Sequence, residues 1–120
     1  MKKDETIQNY LEAIYILNLK NKSVRAIDVV NYLKFSRPTV SIALRQLEDD
    51  GYVINNDNLI ELTEAGKDIA TKMYERHELI ASLLIKLGVD EKQAYKDSCL
   101  IEHDISSESF EAIKKAIKKL

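Results

Sequence analysis

Turn-forming residues are scarce in this chain, whose 120 residues include three glycines and one proline. A β-sandwich or β-barrel needs a turn about every ten residues, and glycine and proline form many of those turns. The sequence therefore argues against an all-β fold and predicts a mainly α-helical protein. At roughly 100–200 residues per domain, the chain has room for one domain or for two small ones.

The compartment is indicated by the cysteine count and by the lack of targeting signals. Cys99 is the single cysteine, so the chain cannot form an intramolecular disulfide. The first residues contain no apolar core followed by a small-residue cleavage site. No apolar run approaches the roughly 20 residues that cross a bilayer. We therefore expect a cytoplasmic protein that does not contact membranes.

In the first half of the chain, the spacing of apolar residues predicts three helices and a hairpin. Helices are expected over residues 6–19 and 27–33, the second without an evident capping residue. A third helix starts after Ser36 and ends before Gly51, because serine caps helix starts and glycine adopts the left-handed conformation that ends helices. The β-prone runs YVI and LIEL, separated by NNDN, then predict a β-hairpin.

In the second half, three further helices are predicted. A long helix begins after Thr63, a shorter one after Asp90, and the last runs from Ser106 or Ser107 to Leu120. The predicted order is therefore α-α-α-β-β-α-α-α.

Two short helices followed by a hairpin form the winged helix-turn-helix arrangement, in which the third helix enters the DNA major groove. The predicted third helix starts with small hydrogen-bonding side chains, which let its backbone approach phosphates. The alternative is that serine and proline only start a surface helix. The predicted DNA-binding residues are Arg25, Ser36, Arg37, Pro38, Thr39, Ser41, Arg45 and, in the wing, Asn56.

Charge is unevenly divided between the two predicted domains, which we place at residues 1–63 and 64–120. The whole chain has a formal net charge of −2. Residues 23–46 nevertheless carry four basic side chains and one acidic side chain. Such a patch can be an ordinary solvated surface, but two copies of it in a dimer suffice for contacts to DNA phosphates.

A second group of residues has the chemistry of a metal site. Cys99, Glu102 and His103 are spaced i, i+3 and i+4, which places them on one face of the predicted fifth helix. Thiolate, carboxylate and imidazole groups bind divalent transition metals. Three ligands are too few for a closed site, so others are needed. The candidates are His77 on the long helix and Glu12 and Asn9 on the first helix.

Other interpretations of these residues remain open. A lone cysteine is often a small buried hydrophobic residue, and a glutamate is often a solvated charge. A nucleophilic pair of Cys99 and His103 would need an orienting third group and an oxyanion loop, which the sequence does not suggest, so we expect no enzyme. If these candidate ligands are incidental, the chain is a metal-independent winged-helix regulator or a protein-interaction module.

The apolar faces of the last two helices are the predicted dimer surface. The same residues could instead cover the long helix within one subunit. They are Ala94, Leu100, Ile101, Phe110, Ile113 and Ile117.

Four stretches resemble a known family, the metal-dependent repressors typified by the diphtheria toxin repressor and the manganese transport regulator. They are YLEAIYIL, SRPTVSIALRQLEDDGYV, LTEAGKDIA and RHELIASLLIKLGVDEKQAYKDSCLIEH. The resemblance implies a homodimer that uses Fe(II) or Mn(II) as corepressor, binds a palindromic operator in double-stranded DNA, and blocks promoters of metal-uptake genes. The barrel-like third domain of longer members has no counterpart in this sequence.

The resemblance also implies roles for individual residues. His77, Glu102 and His103 match family ligand positions. Cys99 matches the iron-responsive branch, whereas Glu12 matches the manganese-responsive branch. Asn9 stands where aspartate or methionine is usual, so either its amide oxygen is a weak ligand or one coordination position is lost.

Two further positions bear on the number and identity of metal ions. Ala81 and Tyr95 stand where the iron branch has the carboxylate and histidine of an accessory site, so we expect that accessory site to be missing. A thiolate favours Fe(II), Co(II) or Zn(II), while carboxylate and amide oxygens favour Mn(II). Because the resemblance points to these two metals, we expect Fe(II) or Mn(II) as the natural ion, with Zn(II) or Co(II) able to bind in vitro.

Overall fold

Six helices and one hairpin make up the described part of the chain, residues 3–20 and 23–119 of a computed structural model. Their order confirms the predicted mainly α fold, with a winged helix-turn-helix first and helices after it. Leu120, the predicted end of the last helix, lies outside the described residues. The elements are α1 Lys3–Lys20, α2 Ala26–Leu33, α3 Arg37–Asp49, β1 Val53–Asn56, β2 Leu59–Leu62, α4 Glu64–Lys86, α5 Glu91–Ile101 and α6 Ser107–Ile117.

The chain forms two compact units, which we call the front unit, up to Thr71, and the rear unit, from Lys72 onward. The first turns of α4 belong to the front unit and the rest of that helix to the rear unit. Among the described residues, no helix combines the length and the apolar character needed to cross a bilayer.

The core of the front unit joins the three helices to the wing. The helix α1 buries the face that its apolar spacing predicts, and α3 does the same. The backbone N–H of Ile60 in β2 donates to the carbonyl of Val24 at 2.8 Å, which holds the segment before α2 along the wing. The buried side chains are Tyr10, Leu11, Ile14, Leu17, Val24, Val29, Val40, Leu44, Leu47, Val53, Ile60 and Ala70.

Local hydrogen bonds cap the starts of both helices of the helix-turn-helix segment. The backbone N–H of Arg25 donates to the Asp28 carboxylate at 2.8 Å, so α2 does have a capping interaction, made from inside the helix. Ser36 caps α3 by accepting from the Thr39 backbone N–H at 3.3 Å. After α3, Gly51 has a φ of +85°, as predicted for a residue that ends a helix.

The wing is a tight antiparallel hairpin. Its register runs from Val53 opposite Leu62 to Asn56 opposite Leu59. The two turn residues, Asp57 and Asn58, both have positive φ, 54° and 70°, as a two-residue hairpin turn requires. The predicted four-residue loop is thus shorter, because the first two asparagines continue β1.

The rear unit contains the predicted capping residues, but its helix α5 ends earlier than predicted. Asp90 caps α5 by accepting from the Lys92 backbone N–H, and Ser106 caps α6 by accepting from the Ser109 N–H. The predicted continuous helix through Cys99, Glu102 and His103 is wrong, because α5 ends at Ile101.

Candidate metal centre and DNA-binding surface

Glu102 is a buried carboxylate at the end of α5, with 1% of its surface exposed. Its φ and ψ of −58° and −27° are still helical, so its side chain leaves the backbone as it would in a further residue of α5. Its Oε2 lies 3.0 Å from Nδ1 of His77, and its Oε1 lies 3.4 Å from Nε2 of His103. A carboxylate withdrawn from water is unfavourable unless it is paired, and here two imidazoles flank it.

His77 is presented to Glu102 by α4. Besides the carboxylate, its Nδ1 lies 3.6 Å from Sγ of Cys99. The buried Ser98 hydroxyl donates to the His77 carbonyl, which ties α5 to α4. The Tyr95 ring lies against the imidazole, with ring centroids 5.4 Å apart.

The rear unit therefore brings together four of the six residues predicted as ligands, His77, Cys99, Glu102 and His103, which we call the donor cluster. It combines two imidazoles, one carboxylate and one exposed thiol. These are the ligand types that divalent first-row metals accept, so the chemistry of the donor set fits such an ion.

The two remaining predicted ligands lie on α1 in the front unit. Glu12 is 6% exposed, although it is a charged residue, and Asn9 is half-buried one turn before it. Each makes further polar or electrostatic contacts. A buried carboxylate on α1 is unusual enough to indicate a specific role.

Arg76 stabilises the turn that carries Glu102 and His103. One guanidinium nitrogen donates to the carbonyls of Glu102 and Ile105 at 3.2 and 3.0 Å, and the other donates to the Ser107 hydroxyl at 3.1 Å. This role of Arg76 was not predicted, because the only local sign of it in the sequence is that Arg76 precedes His77.

Ala81 and Tyr95 occupy the two positions where the resemblance places the accessory site of the iron branch. Ala81 is fully buried. The Tyr95 hydroxyl donates to Glu78 at 3.1 Å, and this hydrogen bond raises the pKa of Tyr95.

The exposed surface of α3 holds most of the predicted DNA-binding residues. Arg25, before α2, and Asn56, at the tip of the wing, are exposed as well. Ile42 is also exposed on this helix, although it was not predicted as a DNA contact. We give the name reading face to six exposed residues in the first part of α3: Arg37, Pro38, Thr39, Ser41, Ile42 and Arg45.

The predicted dimer residues differ in exposure. Leu100 and Ile101 on α5 are 71% and 38% exposed, while Ile113 and Ile117 on α6 are half-buried. Phe110 is buried within the rear unit under the Arg76 guanidinium, 5.3 Å from its ring centroid. Phe110 and the buried Ala94 therefore pack inside the subunit, which is the alternative that the sequence left open.

Comparison with known proteins decides the family. Residues 4–58 match the N-terminal DNA-binding domain of the iron dependent repressors, and residues 63–120 match their metal-binding and dimerisation domain. The chain belongs to the iron-dependent repressor family. This confirms the resemblance, and it makes the chain a metal-dependent transcriptional repressor with a DNA-binding and a dimerisation domain, and no enzyme.

Relatives of this repressor include archaeal and bacterial proteins. An uncharacterized HTH-type transcriptional regulator of Methanocaldococcus jannaschii is 31% identical over 96% of this chain and 94% of its own length. The HTH-type transcriptional regulator MntR of Bacillus subtilis is 32% identical over 90% of this chain and 77% of its own.

Solved structures share the fold of this repressor. A manganese-dependent transcriptional repressor in complex with manganese has a TM-score of 0.86 at 24% identity, covering 93% of this chain. The metal-dependent transcriptional regulator MtsR has a TM-score of 0.85 at 21% identity. The chain spans about half the length of these two, 52% and 53%.

Proposed function

We propose that this protein is a homodimeric repressor of metal-uptake genes that uses Fe(II) or Mn(II) as corepressor and binds a palindromic operator. The observation that carries the proposal is the buried Glu102 carboxylate held between His77 and His103, with the Cys99 thiol beside them. Such a protein works where the chromosomal DNA is, so the cytoplasmic location remains part of the proposal.

The donor cluster is proposed to hold the ion, with Glu12 and Asn9 as additional ligands from α1. Bound there, a divalent ion would neutralise carboxylate charge and link its ligands. Glu12 supports this role because it is a buried carboxylate on a helix whose neighbouring residues, Leu11 and Ile14, form the front core. An ion bound both by residues of α1 and by the rear unit would stabilise one arrangement of the recognition helices relative to the others.

The choice between iron and manganese is set by the balance of ligand types. The Cys99 thiol favours Fe(II), whereas the Glu102 carboxylate, with Glu12 and Asn9 as proposed oxygen ligands, favours Mn(II). Zn(II) binds most such sites more tightly than either metal, so it is expected to occupy the site in vitro without being the metal that is sensed.

The reading face is proposed to enter the major groove, with Arg25 and Asn56 near the phosphates. A dimer would place two reading faces about one helical turn of DNA apart, which requires an operator of two related half-sites. The exposed Leu100 and Ile101 are the strongest candidates for the dimer contact, joined by Ile113 and Ile117.

The deciding experiment measures the affinity of the full chain for DNA with and without metal. Duplexes selected from a random pool are titrated under reducing conditions in Mn(II), in Fe(II) and in chelator. We expect metal to raise the affinity at least about tenfold, which corresponds to about 1.4 kcal/mol of preference for the DNA-binding arrangement. Equal affinity with and without metal would favour a metal-independent regulator.

Two kinds of variant separate the metal site from the DNA surface. Glu102→Ala or His103→Ala should abolish the metal response and leave a folded dimer, measured by circular dichroism and light scattering. Arg37→Ala should weaken DNA binding, reduce its salt dependence and leave metal affinity unchanged, because this side chain is exposed on α3. A normal metal response in the Glu102 and His103 variants would contradict the proposed ligands.

A further inference from the structure

Ile42 lies in the middle of the reading face, with 70% of its surface exposed. Val40 and Leu44, two residues to either side, are buried on the opposite face of α3. Pro38 and Thr39 precede Ile42 by about one helical turn and Arg45 follows it by the same distance, so all three share its face. An exposed isoleucine alone is unremarkable, but this one lies where the helix would face base edges.

Two hydroxyls of the helix start are already engaged in capping. The Ser36 hydroxyl donates to the Thr39 hydroxyl at 2.8 Å and accepts from the Thr39 backbone N–H. The polar side chains of the reading face that make no such capping contact are Arg37, Ser41 and Arg45. Ile42 is the large aliphatic side chain of the reading face.

The major groove offers an aliphatic side chain one complementary group on the bases, the 5-methyl group of thymine. Against the polar edge of another base, isoleucine would displace water from donors and acceptors without replacing their hydrogen bonds. We propose that Ile42 determines operator specificity by packing against a thymine methyl group in each half-site. This inference rests on the proposed function and names the base that its reading face selects.

The test removes the methyl group from the DNA and the aliphatic side chain from the protein. Duplexes are selected with the full chain in Mn(II), and each thymine is then replaced singly by deoxyuridine, which lacks only the methyl group. In each half-site, replacing one particular thymine should lower wild-type affinity about fourfold, because the complex then loses the apolar contact of one buried methyl-sized group. Ile42→Ala should bind the thymine and deoxyuridine duplexes equally, whereas Ile42→Val should keep part of the difference.

The experiment also has a matched control, and its two negative outcomes have different meanings. Leu19→Ala removes another aliphatic side chain of the front unit, 57% exposed at the end of α1, and should keep the full methyl preference. If no thymine replacement weakens wild-type binding, or if Ile42→Ala keeps the fourfold difference, the role of Ile42 is overturned and the proposed function stands. If wild type selects no sequence in metal, both are overturned.

Discussion

At the scale of single residues, Glu102 is the side chain that most needs polar partners in the fold. A carboxylate with 1% exposure must be paired, and both histidines of the chain lie against it. The i, i+3, i+4 spacing predicted that Cys99, Glu102 and His103 act together, although the helix ends before the last two. The spacing could not predict that Glu102 is the buried centre of the cluster, because burial depends on α4.

The Cys99 thiol should decide which metals the site prefers. We expect Cys99→Ser to lower the affinity for Co(II) and Zn(II) more than the affinity for Mn(II), because a hydroxyl oxygen is a harder ligand than a thiolate. With Co(II), the wild-type protein should show a sulfur-to-metal charge-transfer absorption that the variant lacks. An unchanged Co(II) spectrum would mean that Cys99 does not ligate.

Tyr10 combines burial with an unsatisfied hydroxyl. Among the described residues, no hydrogen-bond partner reaches its oxygen, and burial raises the pKa of its phenol. The folded protein therefore keeps this proton at a pH where the unfolded chain, with a pKa of about 10, loses it. Because the folded state then binds more protons, this phenol makes stability fall as pH rises above about 10.

We expect Tyr10→Phe to raise the free energy of unfolding by about 1 kcal/mol near neutral pH, since it removes a buried group that makes no hydrogen bond. The gain should grow at pH above about 10, where the phenol no longer titrates. Urea unfolding at both pH values measures this. Tyr32→Phe, which alters a tyrosine that is 41% exposed, is the control and should show no comparable gain. Destabilisation by Tyr10→Phe would show that the hydroxyl has a partner.

At the scale of elements, helix faces follow from the sequence more directly than helix ends. Apolar spacing correctly predicted the buried faces of α1 and α3 because periodicity is a local property. The end of α5 has no glycine or proline to mark it. It coincides with hydrogen bonds from Arg76 to the carbonyls of Glu102 and Ile105, 26 and 29 positions away in the chain. No local pattern contains such a contact.

The turn after α5 should need Arg76 to hold the metal ligands in place. We expect Arg76→Gln to lower metal affinity about 10- to 100-fold, the usual effect of removing a group that orients a ligand. At saturating metal the variant should still bind DNA, because the ligands themselves remain. Isothermal titration with Mn(II), together with DNA binding at high Mn(II), measures both properties.

A second cation of the rear unit provides the control for Arg76. Lys114 on α6 contacts Glu75 on α4 at 2.7 Å, through side chains that are 38% and 48% exposed. Lys114→Gln removes a positive charge without removing the contacts of Arg76 to the turn, and an exposed pair contributes little to stability. Equal losses of metal affinity in the two variants would attribute the effect to charge rather than to the position of the turn.

At the scale of the whole molecule, the net charge of −2 does not show that basic and acidic residues have different places in the fold. The basic residues of the helix-turn-helix segment lie at its surface, as DNA binding requires, while two acidic residues, Glu12 and Glu102, are buried. If these two share a metal ion, each subunit becomes less negative when metal binds, and repulsion from DNA phosphates falls. Composition alone gives the net charge without its distribution, so it does not predict the DNA-binding function that the family shows.

The coupling between metal and DNA must be equal in both directions. If metal raises DNA affinity by about tenfold, the operator duplex must raise metal affinity by the same factor. We expect Glu12→Gln to reduce both factors together, because Glu12 is the proposed ligand on α1, while the donor cluster still binds metal. Isothermal titration with Mn(II), with and without duplex, measures one factor, and DNA titration in Mn(II) and in chelator measures the other.

Glu5→Gln is the matched control, since it alters a half-buried carboxylate on the same helix. It should leave both factors at their wild-type values. If Glu12→Gln also leaves both factors unchanged, the ion does not act through α1. The metal response would then have to arise within the rear unit, by way of the dimer contact, because metal changes DNA affinity only through a state that it binds unequally.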